Sequence, residues 1–263
     1  MCPDERAALK QCSFVFAEKR DIVFVVPENL DCSVYLEVIP TAEVKRFDDS
    51  YFADVSGYSC LLLMPDFYRC FEGYTHMLIY QLDGWVFRDE LDEWCGKEYE
   101  YIGAPFYLQN GVKQLAVVGN GGVSLRNIAA MLRVLSAPEK KMFPNKLLWR
   151  FFRNYIAQCR YLCCLGPLLK IIGLLPNTRG RFLDSVRCSK LNQEDVVFYF
   201  LSREFTADGL LMAQLEDAAL FSLDSTPEIF FRKLPAFCHA WRKNNPEFWK
   251  KYIEIAKNEK STI

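Results

Sequence analysis

Four stretches of the chain carry residue types that could do chemistry. Residues 76–87 read His-Met-Leu-Ile-Tyr-Gln-Leu-Asp-Gly-Trp-Val-Phe, an apolar run that ends at one acid, Asp83, with Gly84 beside it. A buried strand that stops at a carboxylate puts negative charge at the carboxyl edge of a sheet, where open α/β sheets bind ligands. That charge is costly to bury unless it is paired, hydrogen-bonded or bound to a metal. Asp83 is therefore a metal or ligand residue, or a carboxylate tied down by backbone amides in an Asp-Gly turn. The cluster Gly119-Asn120-Gly121-Gly122 suits either a hairpin or a place where backbone must approach a bulky ligand. Asn192-Gln193-Glu194-Asp195 reads as a helix start, with acids complementing the macrodipole; a carboxylate there is also rigid and accessible enough for proton transfer. His239 is one of two histidines. A lone histidine is more often structural than a ligand, and His76 reads as packing or surface.

The elements that must position these residues follow from apolar periodicity. Ala8, Leu9, Cys12, Val15 and Phe16 share one face of a helix over residues 5–18. Asp21–Pro27 reads as a buried parallel strand, with weaker strands at 34–39 and 43–47. A helix starts near Pro65, the Asp83 strand follows, and a helix over 88–95 stops at Gly96. Strands at 99–105 and 114–118 lead through the glycine cluster into a helix over 127–135. Further helices begin at 192–195 and at Pro246. Strands alternating with helices argue α/β with a largely parallel sheet.

The chain has 263 residues, 51% of them apolar, and a net charge of −1, which suits one large α/β domain. The charge is unevenly spread. Residues 140–190 hold 11 Lys/Arg against one acid, Asp184, a net +10 that leaves −11 for the rest. The 11 scattered cysteines show no paired zinc spacing and read as reduced thiols, which points to the cytoplasm. The N-terminus has no signal-peptide pattern, and no run of 18 apolar residues occurs.

Taken together, Gln81-Leu82-Asp83, the glycine loop at 119–122, Glu194-Asp195 and the late His239 resemble the ordered hallmarks of GT-A-fold glycosyltransferases: the Asp-x-Asp motif, the G-loop, the x-Glu-Asp motif and the C-terminal histidine. More closely, Tyr80-Gln-Leu-Asp-Gly-Trp-Val-Phe-Arg-Asp-Glu-Leu91, Tyr101-Ile-Gly-Ala-Pro105, Val118-Gly-Asn-Gly-Gly-Val-Ser-Leu-Arg126, Asn192-Gln-Glu-Asp195 and Cys238-His-Ala-Trp241 are similar to a mostly bacterial family. That family is grouped as a domain of unknown function and regarded as glycosyltransferases. The resemblance covers most of residues 5–241.

The resemblance implies a GT-A-like, Rossmann-like three-layer sandwich with a mostly parallel central sheet, spanning 1–263 as a single domain with a basic helical excursion at about 140–190. It implies a metal-dependent, inverting, hexosyltransferase-like enzyme that moves a sugar from a nucleotide-sugar donor, UDP-sugar first, to a glycan or glycolipid acceptor. Asp83 and His239 would hold Mn2+ or Mg2+. Gln81, Asp83, Gly121 and Gly122 would contact the donor. Asp195 would deprotonate the acceptor hydroxyl with Glu194 as its neighbour. Trp85 and Trp241 would stack on sugar faces or lie in the core. Two departures stand out. Gln81 replaces the first acid of Asp-x-Asp. The strand that opens such folds has no counterpart before the first helix, so either it is missing or the start is truncated, which would weaken donor binding and expose a sheet edge. The rival reading is a noncatalytic GT-A scaffold for glycan or membrane attachment. Residues 140–190 read either as arginines snorkelling over a core or as a surface for anionic lipid, which would place the protein at the inner membrane face. No nucleic-acid-binding module is recognised.

Overall fold

The structure, a computed structural model, describes residues 1–110, 113–136, 183, 187, 193–204 and 209–260. The basic excursion at 140–190 therefore lies outside the described residues, save Leu183 and Arg187, as does Asn192. The strands are β1 (Val23–Pro27), β2 (Glu43–Phe47), β3 (His76–Tyr80), β4 (Trp85–Val86), β5 (Tyr101–Gly103), β6 (Pro105–Asn110), β7 (Lys113–Val118), β8 (Val123–Asn127), β9 (Ser222–Leu223) and β10 (Phe237–Cys238). Helices include Pro3–Phe16, Val55–Leu62, Ile128–Leu135, Glu194–Glu204, Leu215–Phe221 and Pro246–Lys260.

The class is mixed α/β, but among the described residues the expected single, mostly parallel central sheet is not formed. Among the described residues the strands make four small sheets, ordered β1-β2, β4-β10-β9, β3-β8-β5 and β6-β7. Only β1 with β2 and β9 with β10 run parallel; the other ladders are antiparallel. The physical reason lies in the connections. A parallel pair needs a crossover of about a dozen residues or more. Residues 81–84 between β3 and β4, and 119–122 between β7 and β8, are too short for one. The chain reverses or changes sheet instead.

Several local expectations shift too. Residues 34–39 form a short helix, Ser33–Leu36, rather than a strand. The helix expected over 88–95 is confined to Leu91–Cys95, because Asp89 accepts from Leu91 N and pairs with Arg20. β3 ends at Tyr80, so Asp83 sits in a turn beyond the strand, and β3 is half-buried rather than fully buried.

The core falls into three apolar clusters. One holds the helix Glu194–Glu204, whose residues Val196 to Leu201 are all buried among Leu61, Phe67, Tyr101 and Met131. A helix apolar on every side belongs inside, and this one carries Glu194 and Asp195 into the interior at its first turn. The N-terminal helix packs Cys12 and Phe16 on Val86, Phe237 and Phe221. Trp85 and Trp249 anchor the third cluster. Arg187 donates to the carbonyls of Leu63 and Leu135, which close the ends of two helices. Cys2, Cys12, Cys32, Cys70, Cys95 and Cys238 are free thiols. No helix among them is long and apolar enough to cross a membrane.

Candidate functional site

Strand register brings distant residues together. Tyr80 pairs with Val123, so just beyond the ladder Gln81 N donates to Gly122 O at 3.0 Å. Trp85 pairs with Cys238, so the next residue, His239, lands beside the 81–84 turn. His239 Nε2 lies 3.0 Å from Gln81 Oε1 and 3.1 Å from Asp83 Oδ1. The Asp83 side chain is 54% exposed, so the cluster opens to solvent. Residues 83 and 239 thus converge as the ordered motifs imply.

Behind the ring lies a residue the sequence reading did not single out. Asp224 Oδ2 is 3.5 Å from His239 Nδ1. Asn120 Nδ2 donates to Asp224 Oδ2 at 2.8 Å, and Asn244 Nδ2 donates to Oδ1 at 2.7 Å. Burial alone would lower the His239 pKa, but Asp224 and Asp83 outweigh it and raise it to about 9. For Asp83, burial pushes upward, and the facing imidazole prevails to lower its pKa. The two facing carboxylates thus favour the protonated ring of His239.

The glycine loop is neither a hairpin nor a gap. β7 pairs with β6, whereas β8 pairs with β3 and β5, so residues 119–122 cross between sheets. A Cβ on Gly122 would lie 2.1 Å from His239 Nε2, and one on Gly121 would lie 2.2 Å from Glu194 Oε1. The space that glycine leaves at these two positions is filled by the protein's own side chains. Asn120 Oδ1 accepts from Gly122 N at 3.1 Å and steadies the loop.

The other end of this loop meets the buried helix. Asp195 Oδ2 accepts from Gly121 N at 3.3 Å, and Oδ1 accepts from Val196 N at 2.7 Å. Burial, then the Glu194 carboxylate, push the Asp195 pKa up to about 7 against those two hydrogen bonds. Glu194 has both oxygens engaged: Oε1 with Arg126 Nη2 at 3.3 Å and Oε2 with Ser59 Oγ at 2.8 Å. Arg126 is fully buried. It donates to Ser124 Oγ at 3.0 Å, Tyr68 Oη at 2.8 Å, Tyr101 Oη at 3.3 Å and Gly121 O at 3.4 Å. Glu194 is thus placed to hold the helix start rather than to meet a substrate. Burial, and then the Glu194 carboxylate, push the Tyr58 hydroxyl pKa up to about 12.

Of the remaining sequence candidates, Trp85 is buried and meets Trp241 edge-on at 6.4 Å, a core role. His76 lies at the other end of β3 beside Thr75 and Asn127, away from the cluster. The arrangement offers an exposed carboxylate next to an imidazole, and a raised carboxyl one loop residue away. A divalent ion fits this donor set in part. Oxygen and nitrogen donors at about 2.1 Å from an octahedral ion stand roughly 3.0 Å apart when adjacent, close to the Asp83–His239 separation. No group of three His, Cys, Asp or Glu able to hold a metal occurs among the described residues. The remaining ligands would have to come from a bound phosphate and water.

These features define a mixed α/β protein with a carboxylate–histidine cluster set on a glycine loop. A family model described as "Protein of unknown function (DUF5672)" matches residues 41–239, from β1's neighbour strand to His239 itself, and the chain belongs to that family. Comparison with curated proteins and with solved structures gives no match.

Proposed function

We propose that this protein is a metal-dependent, inverting glycosyltransferase that moves a sugar from a nucleotide-sugar donor to a glycan or glycolipid acceptor. One observation carries the proposal. Asp83, Gly121-Gly122, Asp195 and His239, scattered over more than 150 residues, meet at the four-residue loop 119–122, Asp83 by way of His239. In this reading Asp83 and His239 hold a Mn2+ or Mg2+ ion, which when bound neutralises charge on the departing diphosphate. Gln81 offers an amide to a ribose hydroxyl. Asp195, with its pKa raised to about 7, is matched to accept the acceptor hydroxyl's proton near neutral pH. Gly121 N–H fixes that carboxyl, and Glu194 anchors it from behind.

The noncatalytic scaffold remains a second reading because Gln81 Oε1 already engages His239 Nε2. Calorimetry with UDP and GDP, with and without Mn2+, separates the two. Saturable, Mn2+-dependent binding that Asp83→Asn weakens and Asp195→Asn spares supports the enzyme. Absence of binding to either nucleotide in the parent protein sinks it.

A further inference from the structure

The His239 ring has two nitrogens, and the side of the ring turned inward has a built environment of its own. Nδ1 is buried and has no formed hydrogen bond, and Asp224 Oδ2 faces it at 3.5 Å. A buried ring nitrogen left unpaired is costly, so a carboxylate at this distance is its natural partner. Asp224 is itself 7% exposed. It is clamped from two directions: by Asn120, whose other amide atom holds Gly122 N, and by Asn244, whose backbone N donates to Ala240 O at 2.8 Å. Ala240 follows His239 with φ 46°, a left-handed conformation unusual for alanine. That sharp turn folds Asn244 back over Asp224.

We propose that Asp224 is a positioning residue that fixes the face of the histidine: it engages Nδ1, so that Nε2 is presented to Asp83 and the open side of the cluster. The alternative of Asp224 as a direct ligand is opposed by its burial and by its two occupied oxygens. The orientation itself stands on geometry alone; its use in holding a cation rests on the function proposed above. A carboxylate behind a metal-ligating imidazole selects the tautomer and raises the basicity of the ligating nitrogen, and losing it typically lowers metal affinity 10–100-fold.

Two measurements on the full chain test this. First, ring 15N labelling of histidine gives only two imidazoles, His76 and His239, which His76→Gln assigns. The parent should show a solvent-protected Nδ1–H on His239 that Asp224→Asn loses. A parent ring bare at Nδ1 overturns the proposal. Second, Mn2+ affinity is read by electron paramagnetic resonance in the presence of UDP. It should fall about 10–100-fold in Asp224→Asn and less in Asn244→Ala, which removes one clamp and leaves the carboxylate. Unchanged affinity in Asp224→Asn overturns the proposal. If Asp224→Asn does not fold, Asn244→Ala decides: weakened affinity supports the proposal, and parental affinity with a parental ring signal overturns it. A parent that binds no Mn2+ yet keeps the protected Nδ1–H refutes the metal reading while supporting the positioning role.

Discussion

Removing the buried guanidinium of Arg126 should destabilise the fold by about 3–5 kcal/mol, the cost of leaving one member of a buried ion pair alone. The structure argues for the upper part of that range. Arg126 is fully buried, and the Glu194 side chain is 7% exposed, so water cannot replace the lost charge. Arg126→Met keeps the aliphatic stem but leaves Glu194 with Ser59 alone, and it strips donors from Tyr68, Tyr101 and the Gly121 carbonyl. Each such bond adds about 1 kcal/mol net, while the N–O separation of 3.3 Å is long for a charge-assisted bond and tempers the pair itself. Against a typical total of about 5–15 kcal/mol, the variant would be marginal. Urea denaturation followed by tryptophan fluorescence measures the loss. The double variant Arg126→Met/Glu194→Met should be less destabilised than the sum of the two single variants, because the second change removes the orphaned carboxylate. Additive losses, or a single-variant loss under about 1 kcal/mol, would refute the claim that this pair locks the helix start to the glycine loop.

Two further outcomes follow from the same contacts. Gly122→Ala places a methyl 2.1 Å from His239 Nε2, so the ring must leave its place beside Asp83. Mn2+-dependent UDP binding should drop at least tenfold while the far-UV circular dichroism stays parental, and parental affinity would show that the ring position does not matter. Asp195 has a folded pKa of about 7 against an ordinary value of 3.8, so its contribution to stability is complete below the lower value and is lost as pH rises through about 7. Asp195→Asn should therefore gain stability relative to the parent between pH 4 and 8, by at most about 4 kcal/mol. A difference that stays constant across that range in urea melts would contradict the raised pKa.

What the sequence revealed and what it hid have separate physical causes. Periodicity located the helices that start near Pro3, Asn127 and Pro246, because a 3.6-residue stripe is a local property. It misjudged the sheet, because strand direction depends on which non-local partner each strand finds. The short links at 81–84 and 119–122 were the available signal against parallel crossovers. The residues facing a prospective ligand were visible through their motif order. Their buried supports were not, although both left traces. Ser124 and Arg126 alternate as polar positions in a strand whose residues 123–126 are all buried, a pattern that demands partners. Phe221-Ser-Leu-Asp224 repeats the signature of an apolar run that ends at an acid, the same signature that drew attention to Asp83.

That repetition points to how the site is built. Asp83 and Asp224 each follow a strand or strand-like run, and His239 comes right after β10, which pairs with β4 on one side and β9 on the other. The ring is therefore delivered between two carboxylates by a three-stranded sheet: Asp83 lies two residues before β4 begins, and Asp224 directly follows β9. A one-residue slip of β10 would turn the imidazole to the other face of the sheet, and the buried anchors Phe237 and Cys238 oppose that slip by packing against Phe16, Phe221 and Trp85. The specificity of the cluster thus resides in core packing of β10, and the polar residues themselves need only be of the right type at the strand ends.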